Sequence, residues 1–179
     1  MAEIATPPAQ IELRVDDISQ LFDNLDPFPF RERDLDPEAE EYIVGWAREL
    51  PREAPIVVVV HVREANAPGA TDLQSALARF FAYRVDVIGR ELRELFRVGR
   101  RALAIGLTVL ALCVAASSMA TMVFGEQGLG RFAEESFIIV GWVANWRPIE
   151  IFLYEWWPIA RRRQLYRRLA AARLEVRQG

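Results

Sequence analysis

Apolar and polar residues follow different rhythms along this chain, and each rhythm predicts a different element. From Ala102 to Phe124 (ALAIGLTVLALCVAASSMATMVF) the pattern is unbroken: 23 consecutive residues carry no charge. At about 1.5 Å of rise per residue, a helix of that length crosses the hydrocarbon core of a bilayer. Upstream, Leu73, Leu77, Phe81, Val85, Ile88, Leu92 and Leu95 step by three or four, the spacing of an amphipathic helix that begins near Thr71. No proline interrupts residues 71–124, so the amphipathic helix is expected to run into the membrane as one rod.

Two stretches follow the rhythm of strands. Ile11-Glu12-Leu13-Arg14-Val15 alternates, as a strand buried on one face does, whereas Ile56-Val57-Val58-Val59-Val60-His61-Val62 is apolar on both faces and reads as a central strand. Between them Asp36 and Pro37 supply the N-cap and first position of a helix, and Glu38, Glu40 and Glu41 favour its first turn. Ala39, Tyr42, Ile43, Trp46, Ala47 and Leu50 form its expected apolar stripe. A shorter helix starting at Asp16 or Asp17 is expected to bury Ile18, Leu21 and Phe22. Leu174-Glu175-Val176-Arg177 alternates like a third, edge strand that returns the chain to the front domain.

A second apolar stretch runs from Phe132 to Ala160 but carries Glu134, Glu135, Arg147, Glu150 and Glu155. The predicted fold is therefore a mainly α membrane protein. It comprises a flexible tail (1–9), a small acidic β-α-α-β domain (10–70), a stalk helix (71–101), a two-helix transmembrane hairpin (102–157) and a basic helix with a C-terminal strand (158–179).

Charge divides the chain in the same place. Residues 1–70 hold 15 acidic residues against 6 arginines, and residues 71–179 hold 10 against 16. An acidic front domain is a poor match for nucleic acid, which is bound through phosphate neutralisation. All 22 basic residues are arginine, as a GC-rich genome would give. Arg97, Arg100 and Arg101 precede the first span and Arg161, Arg162, Arg163, Arg167 and Arg168 follow the second, while the turn between them carries only Arg131. The positive-inside rule then expects both termini in the cytoplasm, at a bacterial inner membrane. The N-terminus has neither a basic n-region nor an apolar h-region, so no cleavable signal is expected.

Candidate chemistry is sparse. Arg147 and Glu150, at i and i+3, are the candidate intramembrane polar pair; counted inward from Glu135, Arg147 falls about 18 Å along its helix. The pair reads as ion-coupling or subunit-docking, or else as residues of a span that ends near Trp146. Trp156 and Trp157 beside Arg161, Arg162 and Arg163 are candidate interfacial or lipid-binding residues, with anionic headgroups as the sharper version. The sole histidine, His61, ends a buried strand and reads as a satisfied core or interface residue. The sole cysteine, Cys113, allows no internal disulfide and reads as a packed thiol. Neither a phosphate-binding glycine loop nor HExxH, CxxC or GxSxG occurs, and the acidic run Arg31–Asp36 reads as a solvated loop and cap. No catalytic residue, metal or cofactor is expected. Phe28 and Phe30 in the rigid Asp26–Phe30 segment are expected to plug the small core.

Three segments, Leu25-Asp-Pro-Phe-Pro-Phe30, Arg33-Asp-Leu-Asp36 with Ala39-Glu-Glu-Tyr-Ile43, and Trp146-Arg-Pro-Ile-Glu-Ile-Phe-Leu-Tyr154 followed by Trp156-Trp-Pro-Ile159, resemble small bacterial two-span membrane proteins of unassigned function. The resemblance implies the same architecture and carries no site residues. Two functions stay open. One is a non-catalytic membrane-anchored accessory or scaffold subunit of a larger inner-membrane assembly, partnered by lipid and by its own copy or other membrane subunits. The other is an oligomeric transport or ion-coupling element built around Arg147 and Glu150. The first span offers only Thr108, Ser117, Ser118 and Thr121 as polar groups, which favours the accessory role.

Overall fold

The structure, a computed structural model, describes residues 9–23, 34–63, 70–125 and 127–178. Residues 1–8 of the expected tail, the Asp26–Phe30 segment with its two phenylalanines, and Arg31, Glu32 and Arg33 lie outside the described residues, while Ala9 belongs to the first strand. Strand β1 (Ala9–Val15), helix α1 (Pro37–Glu49), strand β2 (Ile56–Val62), helix α2 (Ala70–Phe124), helices α3 (Leu129–Ala144), α4 (Trp146–Glu150) and α5 (Trp156–Ala170), and strand β3 (Arg173–Gln178) follow in that order. They fall into two compact units. The first comprises residues 1–88 with 161–179, and the second residues 89–160.

In the first unit, β1, β2 and β3 form one parallel sheet with β2 in the middle. The register sets Ile11, Val58 and Leu174 side by side, then Leu13, Val60 and Val176. Ile11, Leu13, Val58 and Val60 are buried on this face, and Val57 and Val59 are buried on the other, so β2 has core on both sides. The unit is thus β-α-β with a third strand supplied by the far end of the chain. The expected short helix is a 3-10 turn, Ile18–Leu21, capped by the Asp17 side chain, with Ile18, Leu21 and Phe22 buried as expected. Helix α1 starts at Asp36 and Pro37 as the cap chemistry requires, with the Asp36 carboxylate accepting from the Glu38 and Ala39 N–H groups. Its core contribution is narrower than the sequence suggested. Ile43, Val44 and Ala47 are buried, but Tyr42 and Trp46 are exposed.

Both edges of the sheet are blunted by side chains, which limits uncontrolled strand addition. The Tyr42 hydroxyl donates to the Glu12 carbonyl of β1 at 3.2 Å. On β3 the Gln74 amide acts as a stand-in for backbone: it donates to the Ala172 carbonyl at 2.9 Å and accepts from the Leu174 N–H.

In the second unit, the C-terminal part of α2 runs antiparallel to α3, α4 and the segment after them. A Cβ built on Gly99 would meet Ile151 at 2.9 Å, one on Gly106 would meet Asn145 Oδ1 at 2.7 Å, and one on Gly141 would meet Leu110 at 2.6 Å. Gly99, Gly106 and Cys113 recur every seven residues, so one side of α2 is kept small and the two backbones approach closely. This geometry makes a helical hairpin. It does not bear out the expected two-helix transmembrane hairpin as two spans, because among the described residues only α2 is long and apolar enough to cross a membrane. The second arm is divided. Pro148 has no N–H to offer the Ala144 carbonyl, and the helix breaks at Asn145. A π turn, Ile151–Glu155, then separates α4 from α5.

Candidate functional site

The charged pair that the sequence singles out in the second unit lies on the divided arm, next to a buried amide. Asn145 is buried in the hairpin seam, and its amide donates to the Gly106 carbonyl at 3.1 Å and the Gly141 carbonyl at 2.9 Å. An amide with both donors satisfied fixes one register between the arms, because any slide would orphan it. Gly106 is the matching residue, since its lack of a side chain admits the amide.

Two residues beyond Asn145, Arg147 Nη1 donates to Glu150 at 3.0 Å and to Glu155, and Nη2 donates to Glu155 at 3.3 Å. The expected Arg147 and Glu150 pair is therefore a triad. In an uninterrupted α-helix, residues eight apart point about 80° away from each other. The π turn widens the coil between them and swings Glu155 back over Arg147. The triad is exposed, with about half of the Arg147 side chain accessible. Contacts of Gly99 with Ile151 and Gly106 with Asn145 set Arg147 at the level of Ala104, about one turn from Arg101 on the neighbouring arm.

Of the lipid-facing candidates, Trp156 turns inward. Its indole N–H donates to the Phe152 carbonyl at 2.9 Å and its ring lies 6.5 Å from Phe96, whereas Trp157 is exposed. Arg161 and Arg162 are exposed at the start of the first unit's returning segment, and Arg163 is half-buried with its Nε unpartnered among the described residues. Cys113 is buried against Gly141 in the seam, a helix-packed thiol.

The first unit holds a second polar constellation that sequence spacing did not bring together, because its members are far apart in the chain. Glu40 on α1 accepts from Arg84 on α2 at 2.8 Å and from the Tyr166 hydroxyl on α5 at 2.6 Å, with the Arg84 guanidinium 5.8 Å from the Tyr166 ring centre. Burial, then the hydrogen bond to Glu40, holds the Tyr166 hydroxyl above its ordinary pKa. Burial works against the charge on Arg84, but Glu40 outweighs it and raises that pKa. These directions describe a clamp in which tyrosine stays protonated and arginine stays charged. His61 is half-buried with Nε2 3.7 Å from the Glu12 carboxylate, a loose contact consistent with a structural place in the sheet. Among the described residues no group of three or more His, Cys, Asp and Glu side chains is placed to hold a metal ion.

Comparison of the chain with protein-family models, with curated proteins and with solved structures yields no match. The functional reading rests on the geometry alone.

Proposed function

We propose that this chain is a non-catalytic, membrane-anchored accessory or scaffold subunit, in which the hairpin of residues 89–160 is embedded in lipid and the α/β unit serves as a docking domain. The observation that carries this reading is the inverted surface of the hairpin. Only 17% of the most apolar 18-residue window of α2 is buried, and Ile105, Leu107, Leu112, Val114, Met119, Met122 and Val123 face outward. Water is a poor solvent for such a surface and acyl chains are a good one. The hydroxyls support the same reading. Thr108 donates to the Ala104 carbonyl, Ser118 to Val114, Thr121 to Ser118 and Ser136 to Phe132, so each is satisfied within its own helix.

In the proposed topology the chain enters and leaves the hairpin on one side of the bilayer, a reading that the pairing of β3 with β2 supports. The arginine distribution favours the cytoplasm as that side, and a bacterial inner membrane is the compartment we propose. On this reading Arg147, Glu150 and Glu155 lie near the inner headgroup boundary, level with the start of α2's apolar run. That position favours anchoring over ion coupling through the bilayer core. The exposed stripe Ala104, Thr108, Ala111, Ala115 and Ser118, on the side of α2 away from Gly106, suits close packing of a second copy or another membrane subunit.

Membrane fractionation tests the reading. The full chain is expected in the membrane pellet after an alkaline carbonate wash and to run in mild detergent as an oligomer or with a co-purifying subunit. Release into the carbonate supernatant would refute the embedded hairpin.

A further inference from the structure

Helix α1 carries two large aromatics on the side away from its core. Tyr42 is 44% and Trp46 48% exposed, and their rings lie 6.2 Å apart at 54°. Tyrosine and tryptophan presented together on a folded surface are characteristic of residues that dominate protein interfaces.

The surroundings define what would fit. Along the same side, Glu38, Tyr42, Trp46 and Glu49 follow at intervals of four, four and three, so a carboxylate brackets the aromatic pair at each end. Glu41 is exposed on the adjoining row, and none of the three carboxylates forms an ion pair among the described residues. Arg48 is the one cation of this surface, which stays net negative. Gly45 follows Glu41 by four residues and Tyr42 by three, beside the row of the rings and inside the helix. A glycine there destabilises a helix by about 0.5–1 kcal/mol relative to alanine. A Cβ at Gly45 would meet nothing within 4 Å, so no contact inside the unit requires the glycine. Its absence of side chain keeps the surface between Glu41 and Trp46 bare for something that approaches from outside.

We propose that the exposed side of α1, formed by Glu38, Tyr42, Gly45, Trp46 and Glu49, is a docking surface for an arginine-bearing segment of a partner protein. The aromatic faces receive the guanidinium plane, the bracketing carboxylates neutralise it, and Gly45 lets the partner's backbone come close. The proposal rests on the reading of the α/β unit as a docking domain and fails separately from the membrane anchor, which fractionation tests.

The experiment uses the full chain in zwitterionic nanodiscs and titrates an acetylated, amidated (Arg-Gly)5 peptide against its (Gln-Gly)5 analogue by isothermal calorimetry. The arginine peptide is expected to bind and the glutamine peptide not to. Trp46→Ala should weaken binding about 3- to 30-fold, the range a desolvated cation–π contact supplies. Gly45→Leu should weaken it similarly while leaving the circular dichroism unchanged. Glu53→Gln, a carboxylate outside the surface, should change affinity less than twofold and serves as the control for bulk charge. Equal affinity of the wild-type, Trp46→Ala and Gly45→Leu proteins would overturn the proposal, as would equal binding of the two peptides. Loss of vesicle binding in Trp46→Ala without loss of peptide binding would also overturn it, and would identify the surface as a membrane contact.

Discussion

The two units are built under opposite rules. In the α/β unit, Phe22, Ile43, Val58, Val59, Leu73 and Phe81 are almost fully inaccessible, and the polar groups of Glu40, Arg84, Tyr166 and Gln74 reach across elements to join them. In the hairpin, Gly106, Cys113, Gly141, Asn145 and Ile151 are inside while Ile105, Leu107, Leu112, Met119, Met122 and Trp142 are outside, and the hydroxyls of Thr108, Ser118, Thr121 and Ser136 bond within their own helix. The first arrangement minimises apolar area in water. The second leaves its apolar area outside and brings the backbones close together, which is the packing that the proposed lipid surroundings would favour. On the proposed embedding, the contrast marks where the solvent changes along the chain.

The largest expected effect is at the core of the α/β unit. Phe81→Ala removes a fully buried ring and should cost about 3–5 kcal/mol, read as a loss of the cooperative thermal transition. Met122→Ala, at a position 88% exposed, should leave folding unchanged and act only on membrane retention. Similar losses of stability from both substitutions would break the contrast between the units.

Gly106→Val comes next. Its side chain would enter the space of the Asn145 amide and the Ala144 carbonyl, so the arms must separate, with an expected cost of about 1–3 kcal/mol. Asn145→Leu should be nearly as harmful, since it removes the donors to Gly106 and Gly141 and adds bulk to the same seam. The readout is the fraction of monodisperse protein recovered in detergent after heating. A monodisperse, unshifted Gly106→Val protein would show that the arms do not pack as described.

A smaller effect sharpens the account of the polar clamp. Tyr166→Phe should cost about 1 kcal/mol, the net worth of one hydrogen bond. The Tyr166 pKa is raised in the folded state, so the protonated hydroxyl is the stabilising form. Its contribution is complete below the ordinary tyrosine pKa of about 10 and is lost as pH rises through the folded value. The wild type should therefore lose thermal stability above pH about 10 more steeply than Tyr166→Phe. Parallel melting curves for the two proteins would remove Tyr166 from the clamp.

The smallest effect belongs to the exposed triad. Arg147→Ala and Glu150→Ala should each lower recovery slightly, with the double variant less harmful than the two losses combined, because both delete the same contact. Glu155→Ala should match Glu150→Ala, since the π turn gives both carboxylates to one arginine. Strict additivity would show that the three groups are solvated independently.

Much of this division was legible in the residues. The uncharged run from Ala102 marks α2, and the Val-rich run from Ile56 marks the central strand. Asp36 with Pro37 marks the start of α1, and the alternation after Arg173 marks the returning strand. What escaped is what periodicity does not encode. A 3.6-residue stripe admits Tyr42 and Trp46 to the core side of α1, but the sheet has room only for Ile43, Val44 and Ala47. The bracketing glutamates and Gly45 were the available signal that those aromatics face outward. The seven-residue spacing of Gly99, Gly106 and Cys113 was the signal for the hairpin seam, hidden by reading the run only for its lack of charge. The π turn, and with it the Glu155 contact, has no marker in residue types, since it follows from how the arm must bend past Pro148 to keep both Asn145 and Ile151 in the seam.

The central claim, a hairpin that crosses lipid and returns to the side it left, is tested most directly by thiol accessibility. In a Cys113→Ser background, Gln127→Cys in the connecting turn and Gln178→Cys at the end of β3 are exposed in intact cells to a membrane-impermeant maleimide. The account predicts labelling of Gln127→Cys in intact cells and of Gln178→Cys only after permeabilisation. Labelling of Gln178→Cys but not Gln127→Cys would contradict the topology, and labelling of both or of neither in intact cells would contradict the crossing itself.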